Sequence, residues 1–272
     1  MRPPLLIVDG DNLTHRAYHT SPKSIVAPDG TPVNAIVGFF SILAKLWATE
    51  PPSAVFVAWD TLGMDTYRSK LLPAYQTGRI FEPSIVTQLN MLPEICRSFG
   101  FGVGKQAGFE ADDIMATAAL QSSESVLLYT TDKDSYQLVD ERINVLAPQR
   151  GGKPPTHIGP AQVVEILGVL PEQVADFKAL AGDPSDKIPG AKGIGPKTAA
   201  SLLLQHGSLE EVLKTWSRPD EVELLRMYKE IVLMRPSAII ELPDEKPDWR
   251  AGAEVLRTLG ANNLATRVSE LS

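Results

Sequence analysis

The sequence predicts an α/β protein, with a mostly parallel sheet flanked by helices and a helical region after it. Short apolar runs that end at an aspartate alternate with helical spacing in the first half, as in LLIVD, AVFVAWD and VLLYTTD. After about residue 155 the pattern becomes all-helical. Alternating strands and helices are typical of a parallel sheet covered by helices.

The apolar runs have the length and the β-branched or aromatic content of buried strands. They cover residues 4–9, 54–60, 126–131 and 143–146. Between the first two, residues 30–47 have helical spacing, with one apolar stripe formed by Val33, Ile36, Val37, Phe40, Leu43 and Trp47. This spacing predicts a helix that packs against the sheet.

Prolines interrupt the next segment. Residues 65–99 are predicted to be helical but broken, and Pro83 and Pro93 are expected to open helices. Residues 110–120 follow as a helix, and residues 134–138 as a short helical turn.

The second half is predicted to be helical after a loop or hairpin tip at residues 148–155. The expected helices cover residues 160–168, 171–181, 196–206, 208–215, 219–233 and, in the tail, about 250–259. We therefore expect a sheet domain at residues 1–155 and a helical domain at residues 156–272. The tail from about residue 234 is expected to pack back on the body.

Composition limits the classes of protein. The chain has 272 residues, 43% of them hydrophobic, a net charge of −7 and one cysteine. No apolar run is long enough for a membrane helix, and the early Asp9 argues against a signal peptide. A single cysteine, Cys96, fits a reducing cytoplasm and is expected to be buried. The net charge argues against a broad basic DNA-binding face, so such a surface would be a local patch.

Acidic residues predict a metal site. They follow three strands, begin one helix and lie in the loop GDPSDKIPG: Asp9, Asp60, Glu110, Asp112, Asp113, Asp132, Asp134, Asp183 and Asp186. The carboxyl ends of parallel strands share one edge of a sheet, where clustered carboxylates need cations. Oxygen ligands suit Mg²⁺ or Mn²⁺. Since Asp112 and Asp113 point about 100° apart on a helix, one is expected to bind metal directly and the other through water.

Residues 189–199, PGAKGIGPKTA, predict a helix-hairpin-helix, within the segment 188–200. Gly193 and Gly195 lie in a tight turn before a helix, and Lys192 and Lys197 flank it. Glycines allow a close approach of the backbone, and a helix N-terminus offers free N–H groups to a phosphate. An ordinary helix–helix turn is the alternative interpretation.

Residues 67–79, YRSKLLPAYQTGR, interleave basic and aromatic side chains. Arg68 and Arg79 are candidates for phosphate binding and Tyr75 for base stacking. A solvated helix face is the alternative. The four histidines are dispersed, which argues against zinc.

These motifs, in this order over about 200 residues, resemble the 5′-nuclease (flap endonuclease) family, which includes the 5′→3′ exonuclease domain of bacterial DNA polymerase I and its stand-alone relatives. The matching segments are IVDGDNLTHRAY, FVAWD, YRSKLLPAYQTGR, GFEADD, TTDKDSYQLV and GDPSDKIPGAKGIGPKTA. The resemblance implies a PIN-like sheet, a helical arch at about residues 65–100 and a helix-three-turn-helix module.

The resemblance also implies the roles of the acids. Asp9, Asp60, Glu110 and Asp112 would hold one metal ion. Asp112, Asp132, Asp134 and Asp183 would hold a second, while Asp113 and Asp186 would act mainly through water. Two ions roughly 3.5–4 Å apart would straddle the phosphate.

Further roles follow from the same resemblance. DNA contacts are expected from Arg16, Tyr75, Gln76, Lys192, Gly193, Gly195, Lys197 and Thr198, with a K⁺ ion at the Gly-rich turn. Cations for the reaction are expected from Arg68, Lys70 and Arg79. The family usually has lysine at the position of Gln76, so one cation near the scissile phosphate is missing, and its loss would weaken stabilisation of the transition state.

The expected activity is hydrolysis of DNA near 5′ flaps, nicks or free 5′ ends by a self-contained, monomeric nuclease in primer removal and repair, including RNA–DNA primer junctions. Two alternatives stay open. One is a PIN-type ribonuclease, although such domains are shorter and lack the GIGPKTA module. The other is a DNA-binding scaffold without nuclease activity, which Gln76 favours and the nine acids oppose.

Overall fold

The computed structural model describes residues 3–78, 81–149, 151 and 153–271. The chain divides into two compact units, each built from separate stretches of sequence. Unit 1 comprises Met1–Thr61, Ile80–Thr131 and Pro236–Ser272, and unit 2 comprises Leu62–Arg79 and Asp132–Arg235.

Unit 1 is built on a parallel sheet with strand order β3-β2-β1-β4. The strands are β1 (Leu5–Asp9), β2 (Ala54–Ala58), β3 (Gly102–Gly104) and β4 (Val126–Tyr129). Asp9 ends β1 in register with Ala58, the last residue of β2. Asp60 therefore follows β2 at the same edge of the sheet where β1 ends, as ligand positions in parallel sheets require.

Unit 1 also contains six helices among its described residues: α1 (Gly10–Thr20), α2 (Asn34–Thr49), α4 (Pro83–Ser98), α5 (Ala111–Gln121), α11 (Trp249–Thr258) and α12 (Asn262–Ser269). An aromatic cluster of Phe40, Phe99, Phe101 and Trp249 joins α2, the end of α4 and α11, with ring centroids 4.3–6.2 Å apart. These rings attach the C-terminal tail to the core of unit 1, since fully buried aromatic side chains contribute most of the apolar area of a core.

Unit 2 contains an antiparallel strand pair, β5 (Ile143–Ala147) and β6 (Thr156–Ile158). Its helices are α3 (Tyr67–Leu71), α6 (Pro160–Leu167), α7 (Val174–Ala181), α8 (Pro196–His206), α9 (Leu209–Lys214) and α10 (Val222–Val232). Short 3₁₀ turns cover Lys133–Leu138, Pro171–Gln173 and Pro219–Glu221. The predicted loop at residues 148–155 falls between these two strands in the sequence, and its residues 150 and 152 lie outside the described residues.

Within the described ranges, the elements predicted from the sequence are confirmed with small shifts at their ends, and four elements were missed: α1, β3, β6 and α12. Helix α1 is polar, and the Asp9 side chain caps it by accepting from Asn12 N at 3.0 Å. Strand β3 is glycine-rich, and a Cβ at Gly102 would lie 2.7 Å from the Phe56 ring. Cys96 is buried, as predicted.

Pro93 was predicted to open a helix, and this is wrong. It lies inside α4, whereas Pro83 is at the first position of that helix, as predicted. Burial of one face of α4, with Leu89 and Leu92 almost fully covered, stabilises the helix despite the missing hydrogen bond. In the described residues, no helix is long and apolar enough to cross a membrane.

Candidate metal centre and nucleic-acid contacts

The acids at the strand ends of unit 1 are held by short hydrogen bonds. Asp9 is buried, and its second carboxylate oxygen accepts from Thr130 Oγ1 at 2.8 Å. Asp60 accepts through Oδ1 from the backbone N of Ala111 at 2.7 Å. Because Ala111 is the first residue of α5, this bond places the carboxylate of Asp60 at the N-terminus of that helix, where negative charge is favoured.

Asp11 is an additional acid that was not among the site residues predicted from the sequence. Its Oδ2 accepts from the backbone N of Asp60 at 2.8 Å. Burial, and then the charges of Asp60 and Asp9, raise the pKa of Asp11 well above its usual value, and the hydrogen bond from Asp60 N and the charge of Lys105 oppose this only in part. The signal was present in the sequence, since Asp11 is two residues from Asp9, but a helix-initiating aspartate after a strand usually acts as a cap.

The three acids that begin α5 have different environments. Asp113 is fully buried, and its Oδ2 accepts from the backbone N of Glu110 at 3.1 Å. Asp112 and Glu110 are half-buried. Asp113 thus has a helix-capping contact, whereas Asp112 retains access to solvent, so the two adjacent residues lie in different environments.

Unit 2 carries a second acidic group. Asp132 accepts from the backbone N of Asp134 at 2.9 Å and begins the 3₁₀ turn. Carboxylate oxygens of Asp134, Asp183 and Asp186 lie within 4.8 Å of one another, and all three residues are buried. The sequence separates Asp134 from the other two by about fifty residues, so only folding brings this group together.

The loop that carries Asp183 and Asp186 is closed by backbone contacts. Asp183 N donates to Ile188 O at 2.8 Å, and Ile188 N donates to Asp183 O at 2.9 Å. A Cβ at Gly190 would lie 2.4 Å from the backbone N of Gly182, so the two glycines allow the ends of the loop to touch. This packing fixes the positions of both carboxylates.

Lys178 is a buried cation in the same group and was not among the site residues predicted from the sequence. Its amine forms an ion pair with Asp134 and another with Asp183 at 2.6 Å. Burial acts to raise the pKa of Asp183, but hydrogen bonds from Lys178 and Ser185 outweigh it and hold that pKa below its usual value. A lysine within the apolar helix VADFKALA was the available signal, because buried lysines are rare unless they are paired.

The segment 67–78 contains several predicted substrate contacts. Arg68 is 2% exposed, and its Nε donates to the carbonyl of Ile231 at 2.8 Å, near the C-terminus of α10. This buried position does not support the predicted role of Arg68 in binding a substrate phosphate, because the guanidinium is engaged inside unit 2. Lys70 is exposed on α3, and Arg79 lies outside the described residues.

Gln76 contacts one of the acids. Its Nε2 donates to Asp186 Oδ1 at 2.9 Å and to Tyr75 Oη at 2.8 Å. Tyr75 is 8% exposed, so little of its ring is available for stacking on a base in this structure. Arg16, the predicted DNA contact of unit 1, is half-buried on α1.

The Gly-rich turn is exposed. Gly193 has a φ of 76°, Gly195 caps α8, and a Cβ at either position would meet nothing within 4 Å. Lys192, Lys197 and Thr198 are also exposed. The turn therefore presents unobstructed backbone and two cations beside a helix N-terminus, which is a suitable arrangement for a phosphate.

Each acidic group offers oxygen donors only, and these suit hard divalent cations. In unit 2 the three carboxylates lie within 4.8 Å of one another, which fits a shared ion. In unit 1 the strand-end acids and the start of α5 are linked by hydrogen bonds. The fold and these groups define the class of the protein as an α/β protein with carboxylate groups suited to divalent metals.

Comparison with known families identifies this protein further. Residues 4–168 match the family described as "5′-3′ exonuclease, N-terminal resolvase-like domain", and residues 169–240 match "5′-3′ exonuclease, C-terminal SAM fold". A 5′-3′ exonuclease of Mycobacterium tuberculosis is 35% identical over 234 residues, covering 78% of this chain and 74% of that protein. The chain belongs to the 5′-3′ exonuclease family, and its members are nucleases.

The chain is also similar to longer relatives and to solved structures. The thermostable DNA polymerase I of Thermus thermophilus is 37% identical over 253 residues, covering 88% of this chain. The chain spans only 24% of DNA polymerase I from Mycobacterium tuberculosis. The T5 D15 protein co-crystallised with metal ions is 20% identical, has a TM-score of 0.71 and covers 98% of both chains. Flap endonuclease-1 of Methanococcus jannaschii is 15% identical, has a TM-score of 0.60 and covers 99% of this chain and 93% of that chain. These structures share the fold of this chain, which confirms the predicted fold class.

Proposed function

We propose that this chain is a divalent-metal-dependent, structure-specific 5′ nuclease that hydrolyses phosphodiesters near the 5′ flaps, nicks or free 5′ ends of DNA. The observation that carries the proposal is the convergence of Asp134, Asp183 and Asp186 on one small volume in a member of this family. Three buried carboxylates this close together need a cation. A divalent ion supplies charge for the phosphate and acidifies water when it is bound.

We propose two roles for the acidic residues. We propose that Asp9, Asp60, Glu110 and Asp112 hold metal directly in unit 1, and that Asp132, Asp134 and Asp183 do so in unit 2. Asp113 and Asp186 would orient these ligands or bind through water, which is supported by their contacts to Glu110 N and to Gln76. The assignment rests on the family membership and on the donor chemistry of each group taken separately.

The Gly-rich turn would hold duplex DNA. The exposed amides around Gly193 and Gly195 and the amines of Lys192 and Lys197 would bind backbone phosphates without contacting base edges. Thr198 and Arg16 are proposed as further phosphate contacts. Lys70 and Arg79 are the proposed cations near the 5′ strand, since Arg68 is engaged inside unit 2. Tyr75 would stack on a base only if its ring becomes exposed.

Finer features of the function are also proposals. The metal is proposed to be Mg²⁺ or Mn²⁺, with a K⁺ ion at the Gly-rich turn. The substrates would include RNA–DNA primer junctions, the protein would act as a monomer, and its role would be primer removal and repair. The division of the chain near residue 155 stays a prediction as well.

A cleavage assay tests the proposal. A 5′-flap duplex is incubated with Mg²⁺ or Mn²⁺ and the wild-type protein, Asp132→Ala or Asp183→Ala. The matched control is Asp220→Ala, an exposed acid of unit 2 outside the acidic group. We expect metal-dependent cleavage by the wild type and the control, with products that carry a 5′-phosphate and a 3′-hydroxyl, and no cleavage by the other two variants.

Two other outcomes would replace the proposal. Tight flap binding without cleavage under either metal would favour a DNA-binding scaffold. Cleavage of structured RNA combined with indifference to DNA flaps would favour a ribonuclease.

A further inference from the structure

Lys178 occupies the place of a cation among the acids of unit 2. It lies in the last turn of α7 and is 9% exposed. Its amine forms ion pairs with both Asp134 and Asp183. Oxygens of these two carboxylates and of Asp186 lie within 4.8 Å of one another, so the amine is in contact with members of the group that would hold a metal ion.

The fold places the backbone of Lys178 directly before the acidic loop. Lys178 precedes Asp183 by five residues, and Gly182 N donates to Lys178 O at 2.8 Å, which ends the helix just before the acidic loop. The remaining oxygen of Asp183 accepts from Ser185 N at 2.9 Å. The acidic loop and the backbone of Lys178 are therefore parts of one short, closed segment, which keeps the lysine beside Asp183.

The charges in this group require compensation. Three carboxylates within a few Å of one another repel strongly when buried, and one ammonium offsets part of that repulsion. A divalent ion bound to the same oxygens would face the positive charge of Lys178 at short range. A lysine and a metal ion cannot both be in contact with the same oxygen atoms without mutual repulsion.

We propose that Lys178 is a built-in cation that competes with the divalent metal for Asp134 and Asp183. The inference rests on the proposed function, because it assumes that these acids bind metal. In the metal-free protein the lysine stabilises the acidic group. Metal binding must displace the amine or proceed against its charge, so Lys178 lowers the metal affinity of unit 2 and is a positioning residue for the metal ligands.

Isothermal titration with Mn²⁺ tests this competition. The variants are Lys178→Met, which removes the charge but keeps most of the apolar stem, and Lys178→Gln, which keeps a hydrogen-bond donor. The control is Lys214→Met, because Lys214 is exposed in the same unit and pairs with Glu211, outside the acidic group. Each protein is also prepared with Asp183→Asn to identify the binding that depends on Asp183.

We expect both Lys178 variants to bind Mn²⁺ about tenfold more tightly or better at the site that depends on Asp183, since an opposing charge at contact distance is removed. Lys214→Met should match the wild type. Without metal, Lys178→Met should melt at a lower temperature than the control, and Mn²⁺ should raise its melting temperature by more than it raises that of the wild type. Lys178→Arg keeps the charge and should retain the weaker, wild-type affinity.

Two results overturn the inference, and they differ in what else they affect. If the wild type shows binding that depends on Asp183 and the Lys178 variants bind Mn²⁺ equally or more weakly, competition is wrong while the proposed metal site stands. If neither the wild type nor the variants show binding that depends on Asp183, both the competition and the metal assignment in unit 2 fail.

Discussion

The side-chain amide of Gln76 donates a hydrogen bond to the carboxylate of Asp186 at 2.9 Å. Gln76, where the sequence resemblance led us to expect a lysine, is thus tied to an acid of the proposed metal group. Gln76 has a φ of 48°, in the left-handed region that residues with a Cβ seldom adopt. A neutral amide here adds a hydrogen bond to Asp186 but no charge.

Gln76→Lys should raise the rate of flap cleavage at saturating substrate by about tenfold, because a cation near a developing negative charge stabilises the transition state. Single-turnover cleavage in Mn²⁺ measures the change. Gln76→Met, of similar length and uncharged, is the control and should not raise the rate. An unchanged or lower rate for Gln76→Lys would show that the phosphate lies elsewhere or that Asp186 neutralises the new charge.

The Lys187→Gly variant should have a higher free energy of unfolding than the Lys187→Ala variant. Its φ is 59°, and its amine donates to Thr77 O and to Thr77 Oγ1 at 2.5 and 2.7 Å. Both variants lose these exposed hydrogen bonds, but only glycine adopts the left-handed conformation without strain. We therefore expect the free energy of unfolding of Lys187→Gly to exceed that of Lys187→Ala by about 1 kcal/mol. Chemical denaturation measures the difference, and equal stabilities would argue against strain at this position.

Gly190→Ala should lower the free energy of unfolding by about 3 kcal/mol or more. The added Cβ would lie 2.4 Å from the backbone N of Gly182, and the φ of 72° adds conformational strain. Gly193→Ala is the matched control, since its φ of 76° is similar and a Cβ there meets nothing within 4 Å. It should cost only about 1 kcal/mol. Urea denaturation of both variants separates steric overlap from strain, and similar losses would contradict the close contact of the two glycines.

Asp11→Asn should stabilise the metal-free protein at neutral pH. The folded pKa of Asp11 is raised, so the folded state holds this proton more tightly than the unfolded state does. The free energy of unfolding therefore falls as pH rises from the unfolded pKa, about 4, to the folded pKa. Asn removes this loss while its side-chain oxygen still accepts from Asp60 N.

Denaturation from pH 3 to pH 8 with a chelator measures the difference between Asp11→Asn and the wild type. The difference should vanish below about pH 4, where Asp11 is protonated in both states. A constant difference across this range would indicate that the pKa of Asp11 is not raised.

Asp112→Ala and Asp113→Ala should affect different properties. Asp113 is buried and accepts from Glu110 N, so its loss should lower the free energy of unfolding by about 1 kcal/mol or more. Asp112 is half-buried, and its loss should abolish cleavage with little change in stability. Thermal melting and flap cleavage of both variants test this division. A stability loss in Asp112→Ala equal to that in Asp113→Ala would contradict it.

The sequence alone determined the class of the fold and the residue types of the acidic groups. The strand that ends in Asp9, the strand that Asp60 follows and the helix after Glu110 are local patterns, because apolar periodicity and acids near strand ends depend on neighbouring residues. The Gly-rich turn was likewise visible, since glycine spacing before a helix depends on local backbone conformation.

Only the tertiary structure decided what these side chains contact. Lys178 and Arg68 are both basic and buried, but they have different partners. Lys178 forms an ion pair with a carboxylate, whereas Arg68 donates a hydrogen bond to the carbonyl of Ile231. Packing between distant segments brings Asp134 and Asp183 together, although they lie about fifty residues apart in the sequence. It also brings Gln76 to Asp186. Such contacts have no local signature in the sequence, because they depend on which segments meet when the chain folds.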